Sequence, residues 1–278
     1  MGGPHAAVVS FTPGMPFLPA HRGGAGAPMV LLHGFTDTWR TWELVLPALE
    51  ARHDVLAPTL AGHAGGPPVP DPVTSEAVAD AVERAMDEAG FATAHVVGNS
   101  LGGYVALQLA ARGRADTVVA LAPAGGWAAG DPGFLETLQH FATMQELLAG
   151  AMPHVATIVS TPEGRRRATA HFTERSEHLS PDLVAHFMHG AAACPGVFPL
   201  IEHAREAGWP LDAAAIRCPV RVVWGRDDRL LAWPRTAARY RTEVLPHADW
   251  VELDGVGHSP QLDVPLETAQ LILGFTDP

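Results

Sequence analysis

Residues 94–112 read AHVVGNSLGGYVALQLAAR and carry the most informative pattern in the chain. An apolar run over residues 94–97 leads into the motif GNSLG at residues 98–102, and a segment of helical composition follows as far as Arg112. This is the strand–turn–helix context in which a G-x-S-x-G turn lifts a serine above the edge of a sheet. An ordinary glycine-rich turn is the alternative, but the context favours Ser100 as a nucleophile.

The two outer glycines of this motif have a steric reason to be there. A serine raised above a sheet edge sits on a very tight turn, and side chains two residues to either side would collide with it. Gly98 and Gly102 remove those side chains. The helix that follows also directs the positive end of its dipole towards the place where negative charge would develop on a reacting oxygen.

Further apolar runs lie on both sides of this motif. They occupy residues 29–32, 53–57, 117–121, 220–224 and 250–253. Short apolar runs bounded by Gly and Pro are typical of strands buried on both faces. Segments with helical spacing alternate with them, and Thr74 and Gly90 are expected to begin and end the one around residues 78–86. The alternation predicts an α/β fold with a mostly parallel, doubly wound sheet.

The strand–helix alternation is interrupted in the middle of the chain. Between about Ala124 and Trp209 the sequence is rich in Ala, His, Met and Leu and contains no convincing β run. We therefore expect a core made of residues 1–124 and 209–278, and a helical cap made of residues 125–208.

Composition limits the classes of function. The chain has 278 residues, of which 47% are hydrophobic and 17% charged, which suits one large domain with an insertion. A formal net charge of −12 disfavours nucleic acid and anionic lipid as partners. We expect no signal peptide and no membrane span. Cys194 and Cys218 are interpreted as reduced thiols of a cytoplasmic protein. The oligomeric state is not indicated.

Together these features resemble the α/β-hydrolase fold superfamily over nearly the whole chain, and the insertion matches the position of that family's cap. The family's order along the chain is serine, acid, histidine. GRDD at residues 225–228 resembles the family's acid loop, which implies Asp228 as the acid and leaves Asp227 as the adjacent alternative. GVGHSP at residues 255–260 resembles the histidine loop, which implies His258 as the base.

The resemblance also implies an oxyanion hole made of two backbone N–H groups. One is that of Leu101, directly after the nucleophile. The other is that of Phe35, because His33-Gly34-Phe35 resembles the family's H-G-x motif. No cofactor or metal is required. Thr59 stands where many relatives have Asp, which leaves the subfamily open.

The function implied is hydrolysis of a small apolar ester or related acyl compound through an acyl-enzyme. Ser100 argues against the dehalogenases and epoxide hydrolases of the superfamily, which use Asp at that position. A carbon–carbon bond hydrolase of the meta-cleavage-product type is the main alternative, although Ser259 stands where that group commonly has Trp. Lactonase, thioesterase and perhydrolase activities also stay open, as does a ligand-binding receptor built on a hydrolase scaffold.

Substrate choice is expected to lie in the cap. Ligand sites of α/β folds lie beyond the carboxyl ends of the strands, so an insertion that follows such a strand should cover Ser100. The candidate pocket residues, each of which could instead pack in the core, are Phe134, Leu138, Phe141, Met144, Phe187 and Phe198.

Overall fold

The computed structural model describes residues 17–128 and 130–276. Seven strands form one sheet: β1 (Ala20–Gly24), β2 (Ala27–Leu32), β3 (His53–Pro58), β4 (Ala94–Asn99), β5 (Ala115–Leu121), β6 (Val220–Gly225) and β7 (Asp249–Leu253). Their order across the sheet is β1-β3-β2-β4-β5-β6-β7. β1 is antiparallel to β3, and every other neighbouring pair is parallel. The predicted mostly parallel sheet is confirmed.

Eleven α-helices lie among the described residues: α1 (Leu46–Glu50), α2 (Ala77–Glu88), α3 (Leu101–Ala111), α4 (Pro132–Ala151), α5 (Val155–Val159), α6 (Pro162–Thr169), α7 (Pro181–Ala192), α8 (Val197–Ala207), α9 (Arg235–Arg239), α10 (Pro260–Asp263) and α11 (Pro265–Thr276). The expected cap at Thr74 is wrong, because α2 begins at Ala77 with Glu76 as its N-cap residue. Thr74 contributes only its backbone carbonyl, 3.2 Å from the amide of Ala77. Gly90 follows the end of α2 with a φ of +79°, as expected.

Two apolar layers cover the two faces of the sheet. Successive side chains of a strand point to opposite faces, so Val30 packs in the layer beneath α2 and α3, whereas Leu31 packs with α1 and α11. Both residues are fully buried. This double burial explains why the strands appear in the sequence as continuous apolar runs rather than alternating ones.

Helices α4 to α8 lie between β5 and β6 and have a small apolar cluster of their own, which includes Leu148, Val155 and Leu183. Leu262 of α10 joins this cluster and so connects it to the rest of the molecule. The division into a core of residues 1–124 and 209–278 and a cap of residues 125–208 stays a prediction. No single helix among the described residues is both long and apolar enough to cross a membrane. Helices α7 and α8 reach that length and composition only when they are taken together, and they are bent by 66° relative to each other.

Candidate active site

Ser100 occupies the turn between β4 and α3, at the carboxyl edge of the sheet. Its φ of +55° lies in the left-handed region, which a non-glycine residue adopts only when the surrounding structure holds it there. Two backbone bonds hold it: the Ser100 amide donates to Leu121 O at 2.9 Å, and Ser100 O accepts from the Ala124 amide at 3.0 Å. The sequence thus forms a strained turn that fixes the hydroxyl-bearing residue.

The neighbouring glycines are required by close backbone contacts. A Cβ atom at Gly98 would lie 2.1 Å from the carbonyl oxygen of Gly102, and one at Gly102 would lie 2.1 Å from that of Leu32. Both distances are far inside van der Waals contact with backbone atoms, which cannot move aside cheaply. The steric reason predicted for these glycines is therefore confirmed.

His258 and Asp228 form a buried pair beside this turn. Asp228 lies in the loop after β6, His258 lies in the loop after β7, and 2.7 Å separates Nδ1 of His258 from Oδ2 of Asp228. The other carboxylate oxygen of Asp228 accepts from the amides of Leu230 and Leu231, at 2.9 and 2.8 Å. The structure brings Asp228 to the histidine, whereas Asp227 is exposed to solvent.

The other imidazole nitrogen of His258 has no structural partner among the described residues. Nε2 of His258 is buried and has no hydrogen-bond partner among the described residues. Ser100 and His258 line the same cavity. A buried nitrogen without a partner is costly unless a ligand or a nearby hydroxyl satisfies it. The buried Nε2 atom without a partner therefore belongs to a residue that lines the same cavity as Ser100.

Asn99 fastens the histidine loop to the sheet. Its amide nitrogen donates to Leu121 O at 3.1 Å and to the carbonyl oxygen of His258 at 3.0 Å. Its amide oxygen accepts from Nε2 of Gln261 at 3.1 Å. The sequence identified Asn99 only as a position in the motif. A polar residue at the buried end of an apolar strand was the one available signal of this role.

The loop after β2 passes beside the nucleophile. A Cβ atom at Gly34 would lie 3.4 Å from that of Ser100, which is ordinary van der Waals contact, so the backbone of this loop passes directly beside Ser100. The amide of Phe35 takes part in none of the turn and loop backbone hydrogen bonds of the described residues. Leu101 is the first residue of α3, where an amide has no acceptor within the helix. Phe35, Ser100 and Leu101 line one cavity, so the two amides predicted for an oxyanion hole lie around the same space.

His33 holds this loop in place and is uncharged. The amide of Leu60 donates to Nε2 at 2.9 Å, which leaves Nδ1–H to donate to the carbonyl of Gly34 at 2.8 Å. Complete burial lowers the pKa of His33 well below its usual value, and His63 nearby adds to the effect. The H-G pair thus has a structural role in placing the amide of Phe35.

Two connected spaces open from Ser100. We call one the aromatic lobe, which is lined among others by Tyr104, Trp127, Leu200, Ile201 and Trp209. We call the other the acidic lobe, which is lined among others by Asp37, Met144, Leu148, Phe172 and Phe187. Each has a volume of about 90 Å³. Phe35 and Phe141, whose ring centroids are 4.9 Å apart, line both lobes.

Four of the six predicted pocket residues line these lobes. Leu138 lines the aromatic lobe, Phe141 lines both, and Met144 and Phe187 line the acidic lobe. The acidic lobe also contains Asp37, which the sequence did not single out.

The other two predicted pocket residues, Phe134 and Phe198, line neither lobe. Phe134 packs against Trp127 instead, with ring centroids 5.3 Å apart. Phe198 is 60% exposed, because it lies on the face of α8 opposite to Leu200, which does line the aromatic lobe. Tyr104 of α3 also lines the aromatic lobe, and the sequence analysis did not single it out.

A buried carboxylate connects the insertion to the histidine loop. Oδ1 of Asp263 accepts from the amides of Glu174 and Arg175, both at 2.9 Å. Oδ2 accepts from the amide of Gly257, next to His258, at 2.6 Å. Burial raises the pKa of Asp263, and these three amide bonds oppose that rise by stabilising the charged form.

The same segment touches both loops that carry the pair. The carbonyl of Phe172 accepts from the amide of Ser259 at 2.9 Å. Glu174 forms an ion pair of 3.0 Å with Arg229, the residue after Asp228. We call residues 172–175 the clasp, because they bond to the acid loop and to the histidine loop together.

Comparisons with known proteins show the family of the chain. A family model described as the alpha/beta hydrolase family matches residues 29–271. The chain is 34% identical over 206 residues to the epoxide hydrolase EphH of Mycobacterium tuberculosis, covering 74% of this chain and 96% of that protein. It is 30% identical over 264 residues to a pimeloyl-[acyl-carrier protein] methyl ester esterase of Aromatoleum aromaticum, and the match covers 88% of this chain and 96% of that protein.

Solved structures share the fold. One is the 2-hydroxy-6-oxo-6-phenylhexa-2,4-dienoate hydrolase BphD from Rhodococcus sp. strain RHA1. Its TM-score is 0.72 at 23% identity, and the match covers 93% of this chain and 94% of that one. At that identity the likeness concerns the fold alone.

Proposed function

The chain belongs to the alpha/beta hydrolase family, and we propose that within it the protein is a serine hydrolase that cleaves a carboxylic ester or related acyl compound. The observation that carries the proposal is the His258–Asp228 contact of 2.7 Å beside a strained Ser100. A serine hydroxyl needs a base within reach, and the base needs a carboxylate to fix its tautomer.

The proposed reaction begins when Oγ of Ser100 attacks the ester carbonyl and Nε2 of His258 accepts its proton. The amides of Phe35 and Leu101 stabilise the oxyanion that develops. His258 then protonates the leaving alcohol, activates a water molecule, and so releases the acid. Asp228 holds the imidazole with Nδ1 protonated and stabilises its cationic form.

The name of the mycobacterial relative raises epoxide opening as a competing activity. A serine that opened an epoxide would be joined to the product by an ether, which a histidine-activated water does not cleave. A carboxylate nucleophile would leave an ester instead, which water can hydrolyse. Ser100 at the turn therefore favours esters over epoxides for this chain.

Cleavage of a dienoate, named for the Rhodococcus protein, requires a site that accepts a carboxylate. Neither lobe is lined by an arginine among the described residues, and the sequence contains no lysine. A carboxylate moved from water into such a space would lose its hydration without gaining a cation. We therefore place carbon–carbon bond hydrolysis of this kind second.

We also propose that residues 125–208 form a cap domain that selects the substrate. The contacts of Phe141, Met144 and Phe187 with the two lobes support this part of the proposal. We also propose a cytoplasmic location, because Cys194 and Cys218 are both free thiols.

The deciding experiment is a substrate panel run on wild type and on Ser100→Ala. It should contain p-nitrophenyl esters of increasing acyl length, a lactone, an aliphatic epoxide and a vinylogous diketone carboxylate. We expect turnover of the esters and loss of that turnover by about 10³-fold or more in Ser100→Ala, with an unchanged melting temperature. Acid quenching followed by mass spectrometry should place the acyl group on Ser100.

Two outcomes would contradict the proposal. Hydrolysis of the epoxide in preference to every ester would reassign the reaction, and ester turnover that persists in Ser100→Ala would remove the nucleophile. A single rapid burst of acylation without further turnover would instead support the ligand-binding receptor. Asp116→Asn is the matched control, because Asp116 is exposed at the opposite end of β5.

A further inference from the structure

Asp37 reaches the active-site cavity through a tight turn in the oxyanion loop. The amide of Asp37 donates to the carbonyl of Gly34 at 3.3 Å, and Thr36 between them has a φ of +65°. A threonine in the left-handed region is strained, and such strain concentrates where a loop must aim a side chain. As a result, Asp37 lines the acidic lobe together with Ser100 and His258.

Among the described residues, the carboxyl group of Asp37 has hydrogen-bond partners but no cationic one. Its Oδ1 accepts from the amide of Thr38 at 2.7 Å, and the hydroxyl of Thr41 gives it a second hydrogen bond. No arginine among the described residues forms an ion pair with it. Burial raises the pKa of Asp37 to about 7, although both hydrogen bonds act to lower it. The side chain stays half-buried because part of it faces the cavity.

Apart from His258, which pairs with Asp228, the described residues of this lobe supply no charge that competes for Asp37. Asp37 is the only carboxylic residue among the described residues that line the acidic lobe. His140 and His171 lie in the same lobe, and burial lowers the pKa of both below their usual value. They are therefore largely uncharged at neutral pH, and most of the remaining lining is apolar.

We propose that Asp37 is a specificity-determining residue whose carboxyl group binds a hydrogen-bond donor on the substrate, a hydroxyl or an ammonium, in the part of the ester that occupies the acidic lobe. The role in catalysis rests on the proposed function, but the binding role can be tested without turnover.

Above its pKa of about 7 the carboxyl group of Asp37 is ionised, and the chemistry of that form supports this assignment. The kinetic and binding tests are therefore run at pH 8. A carboxylate accepts hydrogen bonds and cannot donate them, so it complements a hydroxyl or an ammonium and repels another carboxylate. Hydrogen bonds to charged groups are the stronger kind, and a buried carboxylate whose capacity is unfilled is costly. A substrate group that donates to Asp37 removes this cost, whereas a methyl group of equal size leaves it in place.

The kinetic test compares wild type with Asp37→Asn on two matched sets of esters. In the first set the acyl chain ends in methyl, hydroxyl, ammonium or carboxylate at constant length. In the second set the alcohol part varies in the same way. Wild type should prefer a donor-bearing ester over its methyl analogue in at least one set, by about tenfold in kcat/KM, and Asp37→Asn should reduce that preference to about twofold. Asp116→Asn should keep the wild-type ratio.

The binding test uses Ser100→Ala with and without Asp37→Asn, and calorimetric titration with hexylamine, hexanol and hexanoate. With Asp37 present, hexylamine or hexanol should bind more tightly than hexanoate, and Asp37→Asn should narrow that difference. If Asp37→Asn weakens the binding of hexylamine more than that of hexanol, the ligand group is an ammonium. If it weakens the binding of both equally, Asp37 forms a hydrogen bond without recognising charge.

The two proposals fail in different ways. Ester turnover that depends on Ser100, with ratios identical in wild type and Asp37→Asn in both sets, would overturn the inference about Asp37 alone. Absence of all ester turnover would overturn the proposed function, and the calorimetric comparison would still decide the role of Asp37. Equal binding of the three ligands to both variants would refute that role. Melting temperatures confirm that each variant is folded.

Discussion

The carboxyl edge of the sheet, where the proposed triad lies, and the insertion between β5 and β6 hold their side chains in different ways. Ser100, Asp228 and His258 are 6, 4 and 3% exposed, and backbone hydrogen bonds fix the turn or loop that carries each of them. Helix α4 of the insertion has 20 residues, of which Leu148 is the one that is buried. The reacting groups thus sit on a rigid frame, whereas Phe141 and Met144 project from a helix with few packing constraints.

This difference predicts that substitutions at the edge change the rate of the chemistry, and that substitutions in the insertion change which ester is preferred. Between the two lies the clasp, which belongs to the insertion by position and to the edge by its hydrogen bonds.

The largest effect is expected for Asp228→Asn. An amide at this position would no longer favour the tautomer of His258 with Nδ1 protonated, and kcat should fall by about 10³- to 10⁴-fold. Asp227→Asn is the matched control and should stay within about twofold of wild type, because Asp227 is exposed. Steady-state kinetics on one ester decides the ranking. The reverse ranking would move the acid to Asp227, and two small losses would place it elsewhere.

Asp263→Asn should have the next largest effect and tests whether the clasp acts on the base. The new amide would present N–H where Oδ2 accepts from the amide of Gly257, next to His258. We expect kcat to fall by roughly 10- to 100-fold, with a smaller change in KM and a shifted pH profile of kcat. Asp254→Asn is the control, because that carboxylate is 84% exposed. If Asp263→Asn lowers the melting temperature but leaves the pH profile of kcat unchanged, then Asp263 has only a structural role.

The sequence predicted the edge better than the insertion, and the reason is the range of the contacts involved. Six of the seven strands were visible as apolar runs, because burial on both faces leaves that pattern in the local sequence. β1 was missed, since AHRGG has no alternation and the strand pairs only with β3. Its place at the sheet edge comes from tertiary contacts that no local pattern records.

The same reasoning explains what was missed in the site. Ser100, Asp228 and His258 each lie in a short motif at the end of a strand, so resemblance was sufficient to select them. Asp263 bonds to amides 88 and 89 residues away, and no local spacing reveals such a contact. Phe198 was selected for its size and turned out to face solvent, because helix orientation in the insertion depends on packing against the core.

Asp37→Asn changes a carboxyl group in the loop after β2. That loop belongs to the carboxyl edge of the sheet, but the carboxyl group lines the acidic lobe together with residues of the insertion. The pKa of Asp37 is about 7 in the folded protein against 3.8 for the free side chain, so the folded state retains the proton more strongly. The free energy of unfolding of wild type should therefore fall relative to that of Asp37→Asn as the pH rises from 4 to 7. Above pH 7 the difference between the two free energies should be constant. Partial exposure to the cavity reduces the effect to on the order of 2 kcal/mol. Urea unfolding at pH 4, 6 and 8 measures it, and a difference that is independent of pH would contradict it.

The smallest effect on rate, and the most direct test of the comparison, is expected for Phe141→Ala and Met144→Ala. Phe141 lines both lobes and contacts Phe35 with ring centroids 4.9 Å apart, whereas Met144 lines only the acidic lobe. Enlarging either space should move the preferred acyl or alcohol length upwards by one or two carbons. Burial of one methylene is worth about 0.8 kcal/mol, or roughly fourfold in selectivity, so the ratio between long and short esters should change by about that factor for each carbon.

A minimal acetate ester does not fill the lobes, so its turnover in these two variants should stay within about threefold of wild type. Phe198→Ala is the matched control, because it removes an equally large side chain from the same insertion at a position that is 60% exposed and lines neither lobe. It should leave the whole length profile unchanged. If Phe141→Ala instead lowered acetate turnover as strongly as Asp263→Asn does, the insertion would take part in the chemistry itself. The contrast between a fixed catalytic edge and an adjustable cover would then no longer describe this enzyme.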